Sequence, residues 1–367
     1  MVRWTMVGVG VALALAGCSS DEGGGGSGGS TASGGAASGG GGSASGGAAG
    51  SGGSSTGGAS GSGGSSTGGA SGSGGSSTGG AGGSGGAGGS GGASAWVDPL
   101  AGMGSVEKVA GGFSFTEGPV WFAKTGKLFF SDIPNSRIHE LTPPGSVSVF
   151  REPSGQSNGL GIDQNGLLVA CEHQGRRVSR TQAGGTVVAV ASSYQGKKLN
   201  SPNDVIVKKD GNLYFTDPPY GGNPNELGFQ GVFRVDPSGA LSLVSSDMFR
   251  PNGIALSPDE KTLYVTDSEQ NFIRTYVVAS DGAASGPKKF LDTSPAPDGM
   301  AVNLQGDLFI STQAGVEVYK ADGTPLGTIK VAEQPANCTF GGADGKTLYI
   351  TARKALYRVG LAVAGLP

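Results

Sequence analysis

The chain has 367 residues, a formal net charge of −3 and 74 glycines. With so slight a negative balance, no Lys/Arg cluster and no aromatic-basic interleaving, nucleic acid is not expected as a partner. Glycine crowds the stretch before residue 95, so overall composition says little about the remainder, which is long enough for one large β domain with a substantial core.

In chain order, the first feature is MVRWTMVGVGVALALAGCSS, with one early cation, Arg3, before an apolar run from Met6 to Ala16. That run is shorter than the roughly 20 residues a spanning helix needs, and it has the n-region and h-region of an export signal. Leu15-Ala16-Gly17-Cys18 resembles the lipobox of bacterial lipoproteins, cut before the Cys, which is then acylated. The expectation is a signal peptide over 1–17 and a lipid on Cys18, so that the membrane is a partner through the anchor alone. Ser19 in place of an Asp points to the outer membrane, on its periplasmic or surface face. Residues 18–94 are almost wholly Gly, Ser, Ala and Thr, and SGGSSTGGASG recurs from Ser51 at an 11-residue period. Without apolar surface to offset ordering entropy, this reads as a disordered linker with a reach on the order of 45–50 Å.

From residue 95 to 367 the sequence repeats. GKLFFSD, GLLVACE, GNLYFTD, KTLYVTD, GDLFIST and KTLYITA are variants of one strand, with Leu128, Leu168, Leu213, Leu263, Leu308 and Leu348 spaced 40, 45, 50, 45 and 40 residues apart. Each follows a turn rich in Gly, Asp, Asn or Lys and an earlier apolar run; two further strand-like runs follow most copies. Four short strands per unit, six times over, predict an all-β six-bladed propeller. The stretch from Val106 to Val109 is expected to supply the outer strand of the last blade. Trp121, Phe129, Tyr214, Tyr264 and Tyr349 read as core, His139 as a surface residue on an alternating strand, and Cys171 and Cys338 as buried thiols. The fold is expected to be monomeric.

Ten or eleven residues before the repeat leucines stand Glu117, Asn158, Asn203, Asn252, Asp298 and Asn337. Each precedes the first strand of its blade, which in a propeller is the innermost, so the six should face one another around the central channel. Asn-Gly alone is ordinary turn chemistry, but Glu117 and Asn203-Asp204 are not explained that way. Six oxygen-bearing side chains on one axis call for a cation or water. Two carboxylates with amide oxygens suit one hard divalent ion; Ca²⁺ fits best, with Zn²⁺, Mn²⁺ or Mg²⁺ as alternatives.

TEGPVW, LNSPNDV, TDPPYG, RPNGIALSPD and PDGMAV, occurring in this order, resemble the gluconolactonase/regucalcin (senescence marker protein) family, and ACEHQGRRV resembles its bacterial sugar-lactonase branch. The resemblance implies Glu117, Asn203, Asn252 and Asp298 as metal ligands, with Asn203 also touching substrate and Asp204 bracing its neighbours. Ser201 stands where animal members have a substrate-contacting Arg. The implied activity is metal-dependent hydrolysis of a sugar lactone, with Asp298 the candidate base. Asn158, Glu172, His173 and Tyr220 are candidate substrate contacts. Two other readings stand beside it: hydrolysis of other esters or phosphotriesters at the same site, and a non-catalytic Ca²⁺-stabilised propeller binding a glycan or protein. With two His and no GxSxG elbow, a serine esterase is not expected.

Overall fold

The apolar runs around the repeat leucines do not alternate with polar residues, the pattern of a strand covered on both faces. The computed structural model, which describes residues 95–366, bears this out. None of the six leucines is more than 5% exposed, and every residue of Leu213–Asp217 is buried. The outermost strand of a blade, such as Ser146–Arg151, is mostly exposed or half-buried. The signal peptide, Cys18 and the Gly/Ser linker expected from the sequence lie outside the described residues.

Six antiparallel sheets of four strands make the six blades. Blade one begins with Thr116–Phe122, blade two with Ser157–Ile162, blade three with Val205–Val207, blade four with Pro251–Leu256, blade five with Met300–Val302 and blade six with Pro335–Gly341. Each of these first strands packs against the first strands of the two adjoining blades, closing a ring around the axis. As expected, the last sheet is completed by an early strand, Glu107–Gly111, paired with Ala355–Gly360. A small extra hairpin, Ser193–Tyr194 with Lys197–Lys198, stands between blades two and three. No helix occurs among the described residues.

Phe129, Tyr214, Tyr264 and Tyr349 are buried, and Trp121 is half-buried where it stacks on Tyr349 at 5.7 Å. Cys171 and Cys338 are buried free thiols. His139 corrects the sequence reading: it is 7% exposed, lying 5.0 Å from the Phe113 ring and 5.3 Å from Phe130. Its strand is indeed pleated, but the N-terminal segment through Phe113 folds over the face that alternation assigned to solvent. Burial holds its imidazole below the usual range.

Candidate metal and active site

Three residues after the repeat leucine, the second strand carries a hydroxyl in five of six blades, and in three of them it holds a ring carbonyl of the next blade. Ser131 Oγ donates to the Asn158 carbonyl (2.7 Å), Thr216 Oγ1 to that of Asn252 (2.7 Å) and Thr266 Oγ1 to that of Asp298 (3.0 Å), each reaching into the next blade. The following aspartate ties down the loop leading into its own blade. Asp132 accepts from the Phe115 N–H (3.1 Å), Asp217 from Asn200 (2.7 Å) and Asp267 from Phe249 (2.8 Å). In blades one, two, four and six, the first strand carries one extra residue at or beside the ring position. Such bulges re-aim side chains.

The glycines after the ring residues now have a packing cause. A Cβ on Gly159 would lie 2.4 Å from Asp204 Oδ1, and one on Gly299 would lie 1.9 Å from Asn337 Cγ. Gly299→Ala is therefore expected to displace Asn337 and lower activity about 100-fold, since misplacement near 1 Å costs that much. Steady-state kinetics on a variant with wild-type circular dichroism would check it; full activity would show that the ring tolerates the shift.

The ring amides form a directed chain. Asn158 Nδ2 donates to Asn203 Oδ1 (2.8 Å), Asn203 Nδ2 to Asn252 Oδ1 (2.6 Å), and Asn252 Nδ2 to Ser268 Oγ (2.9 Å) and Tyr220 Oη (3.3 Å). Ser268 Oγ ends the chain on the Pro297 carbonyl at 2.5 Å. Glu117 and Asp298 close the circle as neighbours, Glu117 beside Asn337 and Asp298 beside Asn252.

Glu117 is buried and Asp298 is half-buried. Burial, then the charge of Asp298, push Glu117 well above the usual carboxyl range. Burial raises Asp298 to about 7, with Asp204 adding to the effect and the Asn252 bond and Arg353 opposing it. Burial likewise raises Asp204 to about 7. Neighbouring, poorly solvated carboxylates call for a shared proton or a cation between them. Among the described residues no group of three or more His, Cys, Asp or Glu side chains is placed to hold an ion, so amide oxygens must complete any ligand set. Glu117, Asn203, Asn252 and Asp298 fit that requirement with oxygen donors alone, the preference of a hard divalent cation.

His173 and Tyr220 mark the mouth. His173 Nε2 lies 3.3 Å from Asn203 Oδ1 and 3.4 Å from Asn158 Nδ2. Burial lowers its imidazole to about 4, so it is neutral at physiological pH. Tyr220 is 40% exposed, with the Arg250 guanidinium 5.5 Å from its ring centroid. Beyond the ring, the tunnel continues as a cavity of about 210 Å³ walled by Val120, Leu160, Ile254, Met300 and Phe340.

The family description SMP-30/Gluconolactonase/LRE-like region matches residues 115–354, which include all six ring positions. The chain belongs to this family. Among its relatives, a gluconolactonase of Zymomonas mobilis is 35% identical over 290 residues, covering 69% of this chain and 80% of that protein. A pentonolactonase of Haloferax volcanii is 29% identical, covering 64% and 80%. A solved gluconolactonase of Xanthomonas campestris is 33% identical with a TM-score of 0.67, covering 72% of this chain and 91% of that one.

Within this family member, two residues differ from their sequence-assigned places. Glu172 does not face the mouth: it is 2% exposed. Its Oε1 accepts from Arg151 (2.8 Å) and Ser179 (2.5 Å), and its Oε2 from Arg177 (2.6 Å). Side chains alternate along a strand, and Glu172 falls on the side where the Arg151 guanidinium is buried. Asp204 orients its neighbours, but the ring residue it holds is Asn337 rather than Asn203. It accepts from the Val205 N–H (2.9 Å) and reaches across the tunnel to Asn337 Nδ2 (3.4 Å) and the Ile254 N–H (3.4 Å). Sequence reasoning passed over Ser268, Arg353 and the hydroxyl positions. The last were legible in the repeats themselves, as the Ser or Thr of FFSD, YFTD, YVTD, FIST and YITA.

Proposed function

We propose that this protein hydrolyses a sugar lactone with the help of one divalent cation held by Glu117, Asn203, Asn252 and Asp298, Ca²⁺ fitting the donors best. The observation that carries it is the pair of neighbouring carboxyls, Glu117 and Asp298, closing a ring of amides beneath a mouth lined by His173 and Tyr220. The lactonase names of the relatives supply the substrate class. A bound divalent ion supplies Lewis-acid polarisation of a carbonyl and a more acidic water.

The chain's own residues supply the rest. Asp298 takes the proton as a water oxygen bonds to the lactone carbonyl carbon, and returns it to the ring oxygen as the acyl C–O bond breaks, leaving the open hydroxy acid. The neighbouring Asn252 amide orients that carboxyl. Neutral His173 cannot serve as a general acid at physiological pH; it sets Asn203 and offers substrate a hydrogen-bonding edge. Burial and nearby Asp298 raise the Tyr220 phenol, which stays protonated as a donor or stacking surface. Asn158 fixes Asn203 from the other side.

A panel of sugar lactones assayed in a pH-stat with the full chain should show acid release that EDTA removes and a divalent ion restores. No turnover with any lactone at saturating Ca²⁺, Mn²⁺ or Zn²⁺ would leave a binding propeller. The site itself is read by melting temperature: at a hundredfold excess over Kd the ion should add about 2.7 kcal/mol, or on the order of 5–10 °C. Asp298 and Asp204 are raised to about 7 in the fold from an unfolded value of 3.8. The metal-free protein should therefore be most stable below the lower value and lose stability as pH rises through the upper one. Divalent ion should abolish that decline; a melting temperature indifferent to both pH and ion would remove the site.

A further inference from the structure

We propose that Arg353 makes the mouth selective for sugar lactones bearing a second, negatively charged group, such as a carboxylate, sulfonate or phosphate at the far end of the sugar. The inference rests on the hydrolase reading and adds the substrate class. Arg353 stands at the tip of the turn joining Thr347–Ala352 to Ala355–Gly360. That turn is tied to the ring edge: the Arg353 carbonyl accepts from Thr116 N–H (2.7 Å) and Thr116 Oγ1 (3.3 Å), immediately before Glu117. The guanidinium lies 5.4 Å from the Phe115 ring centroid and donates to the Gln334 amide oxygen.

What separates Arg353 from neighbouring cations is its partner. Arg250 pairs with Glu269 at 3.3 Å, Arg176 with Glu226 at 2.6 Å, and Arg151 and Arg177 with Glu172. Arg353 is exposed and makes no ion pair among the described residues. Its charge nonetheless reaches Asp298 on the axis. A guanidinium held over an aromatic ring, with one arm given to a neutral amide, keeps further N–H groups for an oxyanion. A neutral lactone leaves those groups in water. With the ring carboxylates neutralised by a divalent ion, the rim charge would also draw anions toward the mouth.

The test compares 6-phosphogluconolactone with gluconolactone on the full chain. Wild type should favour the anionic lactone in kcat/KM on the order of tenfold, as a charge-assisted hydrogen bond allows. Arg353→Gln should collapse that ratio, Arg353→Lys should keep part of it, and raising salt from about 50 to about 500 mM should shrink it. A ratio untouched by Arg353→Gln, an equal loss on both lactones, or a ratio collapsed by Arg250→Gln instead would overturn the assignment. If wild type hydrolyses neither of these two lactones, the wider lactone panel decides the hydrolase reading by itself. Anion capture is then decided by calorimetry with glucose 6-phosphate and glucose. Phosphate-dependent binding lost in Arg353→Gln upholds it, and its absence from wild type ends it.

Discussion

Asp298→Asn should lower kcat by about 10³-fold or more and keep it low at any metal concentration. General base catalysis contributes about 10²–10⁴-fold, and the substitution also removes one of the two ring charges that balance a divalent ion. Glu117→Gln removes the other charge but no proton acceptor. Its activity should fall comparably at low metal and recover in large part as metal is raised. Two variants that respond identically to metal would reduce Asp298 to a ligand. Two variants with wild-type rates would place the chemistry elsewhere. The pair is informative because both carboxyls are held upward for the same reason, loss of solvent. Only the proton-transfer role separates them.

Glu172→Gln should cost stability rather than chemistry. The carboxylate is 2% exposed and meets Arg151, whose side chain is 10% exposed, and Arg177, at 34%. Breaking a buried pair leaves the partner charge uncompensated, at about 3–5 kcal/mol, most of it here through Arg151. The melting temperature should drop by roughly 10 °C. The packing allows little relief, since positions on Gly155 and Gly175 where a Cβ would stand lie 2.7 and 2.4 Å from Glu172 Oε2. Below the melting range, kcat/KM for lactone should stay within a few-fold of wild type. An unchanged melting temperature with KM raised more than tenfold would return Glu172 to the substrate contacts.

These residues show how far the sequence reaches. Glu172 and His173 are adjacent in the chain and read alike as polar residues after an apolar strand, yet they part company in space. His173 lies against Asn203, while Glu172 turns to an arginine 21 residues earlier. His139 followed the alternation of its own strand and was covered by Phe113, whose arrival no local pattern announces. Arg353 sits beside Thr116 across 237 residues, a meeting made only when the propeller closes.

The repeat leucines, the six blades, the closing strand near residue 107 and the polar ring were all present in the sequence. Each depends on a spacing that recurs within one blade, and blade packing turns equal spacing into equal height on the axis. The Ser/Thr positions that hold the ring carbonyls belong to the same class, being periodic as well. What only the tertiary structure decided is the direction and partner of single side chains: Asp204 crossing the tunnel to Asn337 over 133 residues, Glu172 ion-paired beneath the surface, Arg353 in no ion pair among the described residues. Burial and charge pairing are sums over neighbours from other blades, and those neighbours exist only once the ring is closed.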